Sequence, residues 1–109
     1  MRAAVKHLLA LGRLPSEEEA DETRLEAVES ALGALPPLTL DEAAGLLPLF
    51  GDDDCFGLGW TLLHTVEAAG RVLDAEAWTA WLEEHRLDVS SHRWASRLRA
   101  RARNARLDP

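Results

Sequence analysis

Residues 51–67 contain the side chains of this chain that are best suited to chemistry. The segment opens with three consecutive carboxylates, Asp52, Asp53 and Asp54, at the predicted start of a helix. Clustered carboxylate oxygens are the ligands that Mg²⁺ and Ca²⁺ prefer. However, the alternating ligand spacing of a calcium-binding loop is missing, and aspartate at a helix start also accepts hydrogen bonds from unpaired amides. We therefore expect these aspartates to cap a helix, and we expect no metal ion or other cofactor.

A second candidate pair in the same segment consists of His64 and Glu67. Residues three positions apart share one face of a helix, as a pair of metal ligands or a base with its orienting carboxylate would. The paired glutamate and histidine motifs of di-iron bundles do not accompany them. We expect His64 to be a buried or half-buried polar residue that hydrogen-bonds Glu67 or a backbone carbonyl. A small metal-dependent enzyme built on this pair is the less favoured alternative.

Three small residues of the same segment also need an explanation: Cys55, Gly57 and Gly59. Cys55 is the one cysteine of the chain and lacks a partner for nucleophilic chemistry, so we expect it to be inert packing. Gly57 and Gly59 fall inside the predicted helix, where each glycine costs up to about 1 kcal/mol relative to alanine. Close approach of a neighbouring helix is the expected reason for both.

Charge is distributed unevenly along the chain. Residues 1–92 carry 6 basic and 18 acidic side chains, a net charge of −12, whereas residues 93–109 carry 6 arginines and one aspartate, a net charge of +5. A basic helix is typical of nucleic-acid binding, for which Arg93, Arg97 and Arg101 are the candidate contacts. An isoelectric point near 5.0 argues against a polyanionic partner, so nucleic-acid binding is the alternative. An acidic partner within the chain or in a second subunit is also available: Glu17, Glu18, Glu19, Asp21 and Glu22.

The four tryptophans divide into two pairs. Trp60 and Trp94 lie within apolar helix faces and are expected in the core. Trp78 and Trp81 lie on a short helix with charged ends, where they are either core residues or anchors of an interface, since tryptophan is enriched in binding hot spots.

The elements that position these residues are predicted to be helices. The chain has 18 Ala and 20 Leu but only five Val, five Thr, no Ile and no Tyr, a composition that favours an all-α fold. Six helices are expected to begin near residues 2, 16, 40, 54, 74 and 91. Capping boxes of Ser16 with Glu19 and of Thr39 with Glu42 mark two of the starts, and Pro48 predicts an irregular last turn in the third helix.

Taken in pairs, the helices predict three antiparallel hairpins in one domain over residues 1–109. The hairpins begin every 35 to 38 residues, which is the size of a helical solenoid repeat. They share almost no residue identity, so a HEAT-like stack and an irregular bundle both remain open. A domain of this size should have a radius of gyration of roughly 13 Å.

Apolar runs in the chain are short. The longest spans residues 43–51 and contains Pro48, far below the roughly 20 residues that cross a bilayer. The apolar stretch near the N-terminus is likewise too short for a secretion signal. We expect a cytoplasmic protein without membrane contact.

The Asp-rich start followed by Phe56-Gly57-x-x-Trp60-x-Leu62-x-His64-x-x-Glu67 resembles a segment of small bacterial immunity-type proteins, which are helical or HEAT-like and encoded beside toxins. The resemblance covers residues 38–70. It implies a cytosolic, non-enzymatic protein that binds another protein.

These observations together predict a module for protein–protein interaction without enzymatic activity. Its partner is expected to present a basic surface to an acidic face. The candidate contacts comprise seven acidic residues and two tryptophans: Glu17, Glu18, Glu22, Glu26, Asp52, Asp53, Asp54, Trp78 and Trp81.

Overall fold

The computed structural model describes the backbone of residues 2–107 and the side chains of residues 2–100. This part of the chain is helical and contains no strand, which confirms the predicted all-α fold. Its radius of gyration is 13.7 Å. The six α-helices are α1 (Ala3–Leu11), α2 (Glu22–Gly33), α3 (Leu40–Leu46), α4 (Leu58–Ala69), α5 (Ala75–Glu84) and α6 (His92–Leu107).

Several helix boundaries follow directly from the sequence. The capping box at α3 is complete, since the Glu42 amide donates to the Thr39 hydroxyl at 3.2 Å and the Thr39 amide donates to the Glu42 carboxylate at 3.0 Å. Pro48 lies in a 3₁₀ turn, Leu47–Leu49, that follows α3, so the predicted irregular turn is confirmed. Asp74 caps α5 by accepting a hydrogen bond from the Ala77 amide at 2.8 Å.

The start of α2 differs from the prediction. Half of the predicted capping box forms: the Glu19 amide lies 3.3 Å from the Ser16 hydroxyl, and the Glu19 carboxylate accepts from that hydroxyl at 2.8 Å. These contacts close only an isolated turn. The helix begins at Glu22 and is capped by Asp21, which accepts from the Arg24 amide at 2.7 Å. Ser16 and Asp21 are two successive candidate caps. The helix begins after Asp21, because its charged carboxylate also interacts favourably with the helix dipole.

The start of α4 is also later than predicted, because the chain first forms a left-handed run. The φ angles are 47° at Cys55, 52° at Phe56 and 90° at Gly57. No described side chain caps α4, so the aspartates do not cap that helix; Asp53 instead accepts from the Cys55 amide at the start of a 3₁₀ turn, Cys55–Gly57. Gly57 is required by its left-handed backbone rather than by close helix approach, which corrects the prediction for that residue.

Close approach does explain Gly59. A Cβ at this position would lie 2.3 Å from Cζ2 of Trp94, a distance that packed atoms do not tolerate. The Trp94 ring of α6 therefore occupies the space that a side chain of α4 would need. Trp94 is buried and stacks on Phe50 with 5.2 Å between the ring centroids.

Helices adjacent in sequence pack against each other, as the predicted hairpins require. α1 contacts α2, α3 contacts α4, and α5 contacts α6, while α4 also contacts α2 and α6 and so lies at the centre. The indole of Trp78 ties the last pair together by donating to the Leu98 carbonyl at 2.9 Å. None of the described helices combines the length and apolar character needed to cross a membrane.

A partly buried ion pair joins the starts of α1 and α3. The guanidinium of Arg2 donates to both carboxylate oxygens of Glu42, with Nε 3.0 Å from Oε2, and also to the Pro37 carbonyl at 2.6 Å. Glu42 is almost completely buried. The hydrogen bonds from Arg2, followed by the bond from the Thr39 amide, lower the pKa of Glu42 to about 2.

Candidate functional site

Residues 51–57, here called the acidic loop, are hydrogen-bonded to the turn at residues 16–20. The Glu17 amide donates to Asp53 Oδ2 at 2.9 Å, and Glu17 Oε1 accepts from the Phe56 amide at 3.1 Å. Asp53 Oδ1 also accepts from the Cys55 amide at 2.9 Å. These carboxylates therefore hold the left-handed run in place by satisfying its amides. Cys55 is buried beneath it, and burial, more than the nearby carboxylates, raises the pKa of its thiol.

Asp54 connects the acidic loop to α6. Its Oδ1 lies 2.9 Å from Nη1 of Arg97 and 3.3 Å from Nη1 of Arg93, and its Oδ2 accepts from the Trp60 indole at 3.4 Å. The hydrogen bond from Arg97 is the main cause of a lowered pKa at Asp54. Two of the three arginines expected to contact nucleic acid are thus paired within the chain, and their partner is Asp54 rather than the acidic residues near α2. The side chain of Arg101 lies outside the described residues.

Asp52 is likewise occupied. Arg13 Nη2 lies 2.7 Å from Asp52 Oδ1, and Arg13 Nε donates to the Phe50 carbonyl at 3.0 Å. Both side chains are exposed, so this ion pair contributes little to stability. It links the first residue of the aspartate triplet to Arg13, two residues after the end of α1.

Trp60 lies at the surface, where its exposed fraction of 37% corrects the expected place in the core. Consecutive residues on a helix point about 100° apart. Because Gly59 faces the Trp94 ring, the next residue is turned outward. The indoles of Trp60 and Trp94 meet edge to face with 5.4 Å between the ring centroids, and the Arg97 guanidinium packs against both, 4.2 Å from the Trp60 ring and 4.5 Å from the Trp94 ring.

Phe56 is the functional candidate that sequence reasoning missed. Its side chain is 62% exposed, although its backbone is left-handed with φ 52° and ψ 35°. The sequence held one signal, the glycine at position 57, which marks a possible left-handed turn as well as a helix contact. The predicted helix that begins near residue 54 instead includes Phe56.

The acidic residues of the predicted contact face fall into two groups. Glu17, Asp52, Asp53 and Asp54 make the internal contacts described above. The remaining three are exposed and form no hydrogen bond or ion pair with any residue whose side chain is described: Glu18, Glu22 and Glu26. Within the predicted contact face, only this second group makes no internal contact among the described side chains.

Trp78 and Trp81 differ in accessibility. Trp78 is completely buried, so it cannot contact a partner, which corrects its expected role as an interface anchor. Trp81 is half-buried and stacks on Trp78 at 5.2 Å and on His85 at 5.0 Å between ring centroids. It remains a candidate contact.

His64 is exposed and makes no hydrogen bond to Glu67 or to any other described group, so the expected buried position is wrong. Its ring lies 6.3 Å from that of Trp60, one helical turn earlier. Among residues 2–100 no group of three or more His, Cys, Asp or Glu side chains is arranged to hold a metal ion. His64 instead borders a surface groove of about 480 Å³.

No protein-family model, curated protein sequence or solved structure matches this chain. The resemblance of residues 38–70 to immunity-type proteins therefore stays a prediction.

Proposed function

We propose that this chain is a non-enzymatic protein-binding module whose contact centre is Phe56 on the acidic loop. One observation carries the proposal: a large aromatic ring is held 62% exposed on a left-handed backbone. For a residue with a Cβ this conformation costs about 1–2 kcal/mol, and exposure forgoes the gain from burying the ring. Such strain persists where surrounding contacts enforce it and concentrates at sites that clamp ligands.

The surroundings of Phe56 indicate the chemistry of the partner. The Phe56 amide donates to the Glu17 carboxylate, and the Glu17 amide donates to Asp53, so carboxylates lie against the backbone that carries the exposed ring. Glu18 adds an exposed charge without a described partner. A protein with an apolar pocket rimmed by basic residues would complement this site, because opposite charge steers encounter and a central aromatic anchors the complex. Neutralisation of a toxin, as the immunity-type resemblance implies, is one such use.

Nucleic-acid binding is the weaker proposal for the same chain. Arg93 and Arg97 already pair with Asp54, and Arg97 also packs against two indoles. A phosphate contact would have to displace these interactions.

The proposal is tested with the purified product of the neighbouring gene, the arrangement that the resemblance implies. Phe56→Gly should weaken binding by about thirtyfold or more, because loss of a central aromatic anchor typically costs about 2 kcal/mol or more. Val72→Ala is the matched control, since Val72 is an exposed apolar residue at the opposite end of α4. Isothermal titration calorimetry gives both affinities.

If that gene product does not bind, the wild-type chain serves as bait in a lysate of the source organism, and each captured protein is purified and titrated as above. A partner that binds the wild-type chain and Phe56→Gly equally well would disprove the role of Phe56. A partner with an acidic contact surface would disprove the charge argument.

A further inference from the structure

Asp54 differs from the two aspartates before it, because its carboxylate is bonded to α6 and α4. Its Oδ1 accepts from Arg97 at 2.9 Å and from Arg93 at 3.3 Å, and its Oδ2 accepts from the Trp60 indole at 3.4 Å. The bond from Arg97 lowers the pKa of Asp54, so this carboxylate is charged at neutral pH. The acidic loop is therefore joined to α6 through one side chain.

Arg97 is a well-packed partner for that carboxylate. Its guanidinium lies against the indoles of Trp60 and Trp94, and only 29% of its side chain is exposed. Trp94 is itself completely buried, with the Phe50 ring stacked on it and Gly59 of α4 in close contact. The carboxylate of the acidic loop is thus bonded to a residue that packs on the core.

The backbone of Asp54 forms the other half of this connection. Its carbonyl accepts hydrogen bonds from the Gly57 amide at 3.0 Å and from the Gly59 amide at 3.1 Å. The left-handed residues Cys55, Phe56 and Gly57 lie between this acceptor and α4. A displacement of Asp54 would therefore break both hydrogen bonds on the helix side of Phe56.

The left-handed run needs such contacts to keep its conformation. This backbone is unfavourable for Cys55 and Phe56, because both have a Cβ, and strained conformations persist only where the surroundings enforce them. Glu17 and Asp53 supply the contacts towards the turn before α2, and Asp54 supplies those towards α6. We propose that Asp54 is the positioning residue of the contact centre, which couples the packing of α6 to the backbone that presents the Phe56 ring. This inference rests on the proposed protein-binding function.

Amide hydrogen exchange, resolved by residue with NMR, tests the positioning without any partner. Asp54→Ala should speed exchange of the Gly57 and Gly59 amides by about fivefold or more, because the loop then opens more often. Neither glycine adjoins position 54 in sequence, so the intrinsic exchange rates of these two amides stay the same. Circular dichroism verifies that the variant is folded, and Asp54→Asn, which keeps the size of the side chain, replaces it if it is not.

Two control variants separate the bonds of Asp54 from its charge and from global stability. Asp52→Ala removes the same charge from the same loop, but its ion pair with Arg13 is exposed and contributes little, so the glycine amides should be unaffected. Glu42→Gln removes a distant ion pair. It should speed exchange of the Val66 amide in the buried centre of α4, which reports on global unfolding, without changing the glycine amides.

Three results would overturn the positioning role. The first is unchanged exchange of the Gly57 and Gly59 amides in Asp54→Ala. The second is equal acceleration by Asp52→Ala, since charge alone would then explain the effect. The third is equal acceleration by Glu42→Gln, since the loop would then open only when the whole chain unfolds.

Binding of the purified partner distinguishes this inference from the function on which it rests. Asp54→Ala should weaken binding by about threefold or more, because a smaller fraction of the chain presents the ring in the bound conformation. Loss of the partner by Phe56→Gly together with full binding by Asp54→Ala would retain the proposed function and overturn the positioning role. Equal binding by the wild-type chain and Phe56→Gly would overturn both.

Discussion

Phe56 adopts a backbone conformation that is natural for glycine and unfavourable for any residue with a Cβ. Its neighbour Cys55 has the same left-handed φ, so two adjacent residues are strained. The amide hydrogen bonds from Cys55 to Asp53 and from Phe56 to Glu17 hold this arrangement. The strain arises from the backbone of Phe56, whereas the proposed binding uses its ring. Substitutions at this position can therefore separate the effect on stability from the effect on binding.

Phe56→Gly should therefore be more stable than Phe56→Ala by about 1 kcal/mol. Glycine has no Cβ and avoids the penalty of about 1–2 kcal/mol for the left-handed conformation. Part of this gain is offset because glycine loses more backbone entropy on folding than alanine does. Both variants lack the ring, so their difference isolates the strain. Urea unfolding followed by circular dichroism measures it, and equal stabilities would show that the left-handed turn is not strained.

A second prediction at this scale concerns Glu42 and acid. Its pKa is lowered from 4.5 to about 2 in the folded chain, so the unfolded chain binds a proton more readily. Stability from this group is fully present above pH 4.5 and is lost as the pH falls towards 2. The free energy of unfolding should decline more steeply over this range for the wild type than for Glu42→Gln. Parallel pH profiles from urea titrations would contradict the assignment.

At the scale of elements, the packing of α4 on α6 requires a residue without a side chain at position 59, which is Gly59. The Trp94 ring occupies the space that a Cβ at position 59 would fill. Gly33, at the end of α2, has no atom within 4 Å of the corresponding position. Substitution by alanine should therefore have opposite effects on stability at Gly59 and Gly33, which makes the two positions a matched pair.

Gly59→Ala should lower the stability by about 1–3 kcal/mol, because overpacking forces α6 to shift. Gly33→Ala should be neutral or raise the stability by up to about 1 kcal/mol through helix propensity. Thermal unfolding compares both with the wild type. A stable Gly59→Ala would show that α6 can move away from α4 at little cost.

Local rules predicted the helices better than their boundaries. Thr39 and Asp74 act as caps as expected, because capping depends on residues within one turn. The start of α4 was missed because the left-handed run is held by Glu17, which lies 39 positions from Phe56 in sequence. Periodicity within the segment contains no information about such a partner, and it therefore continued the helix back to Asp54.

At the scale of the whole molecule, the negative and positive parts of the chain meet in one place. Asp54 of the acidic loop binds Arg93 and Arg97 of α6, so part of the opposite charge is consumed internally. Composition predicted the complementarity, but the choice of Asp54 over the acidic residues near α2 depends on how α4 packs on α6. Of the acidic residues in the predicted contact face, Glu18, Glu22 and Glu26 are left to steer a partner.

Neutralising Glu18 and Glu22 to glutamine should slow association with the basic partner severalfold at low salt and flatten its salt dependence, because steering acts on encounter. The control is Glu76→Gln with Glu84→Gln, two exposed acidic residues of α5 that also lack a partner among the described side chains. Stopped-flow kinetics over a salt series compares the two double variants. Identical association rates would exclude a steering role for Glu18 and Glu22.

The burial of Cys55 has a practical consequence. An alkylating reagent can reach this buried thiol only when the chain around it opens, and separation of residues 51–57 from the turn at residues 16–20 is one such opening, so the labelling rate reports how often the thiol becomes exposed. Because Cys55 is the one cysteine of the chain, the modified fraction comes from a single position. A bound protein that contacts the neighbouring Phe56 should hold the acidic loop against the turn at residues 16–20. Cys55 would then be labelled more slowly, so the labelling rate would detect the complex without any added dye or tag.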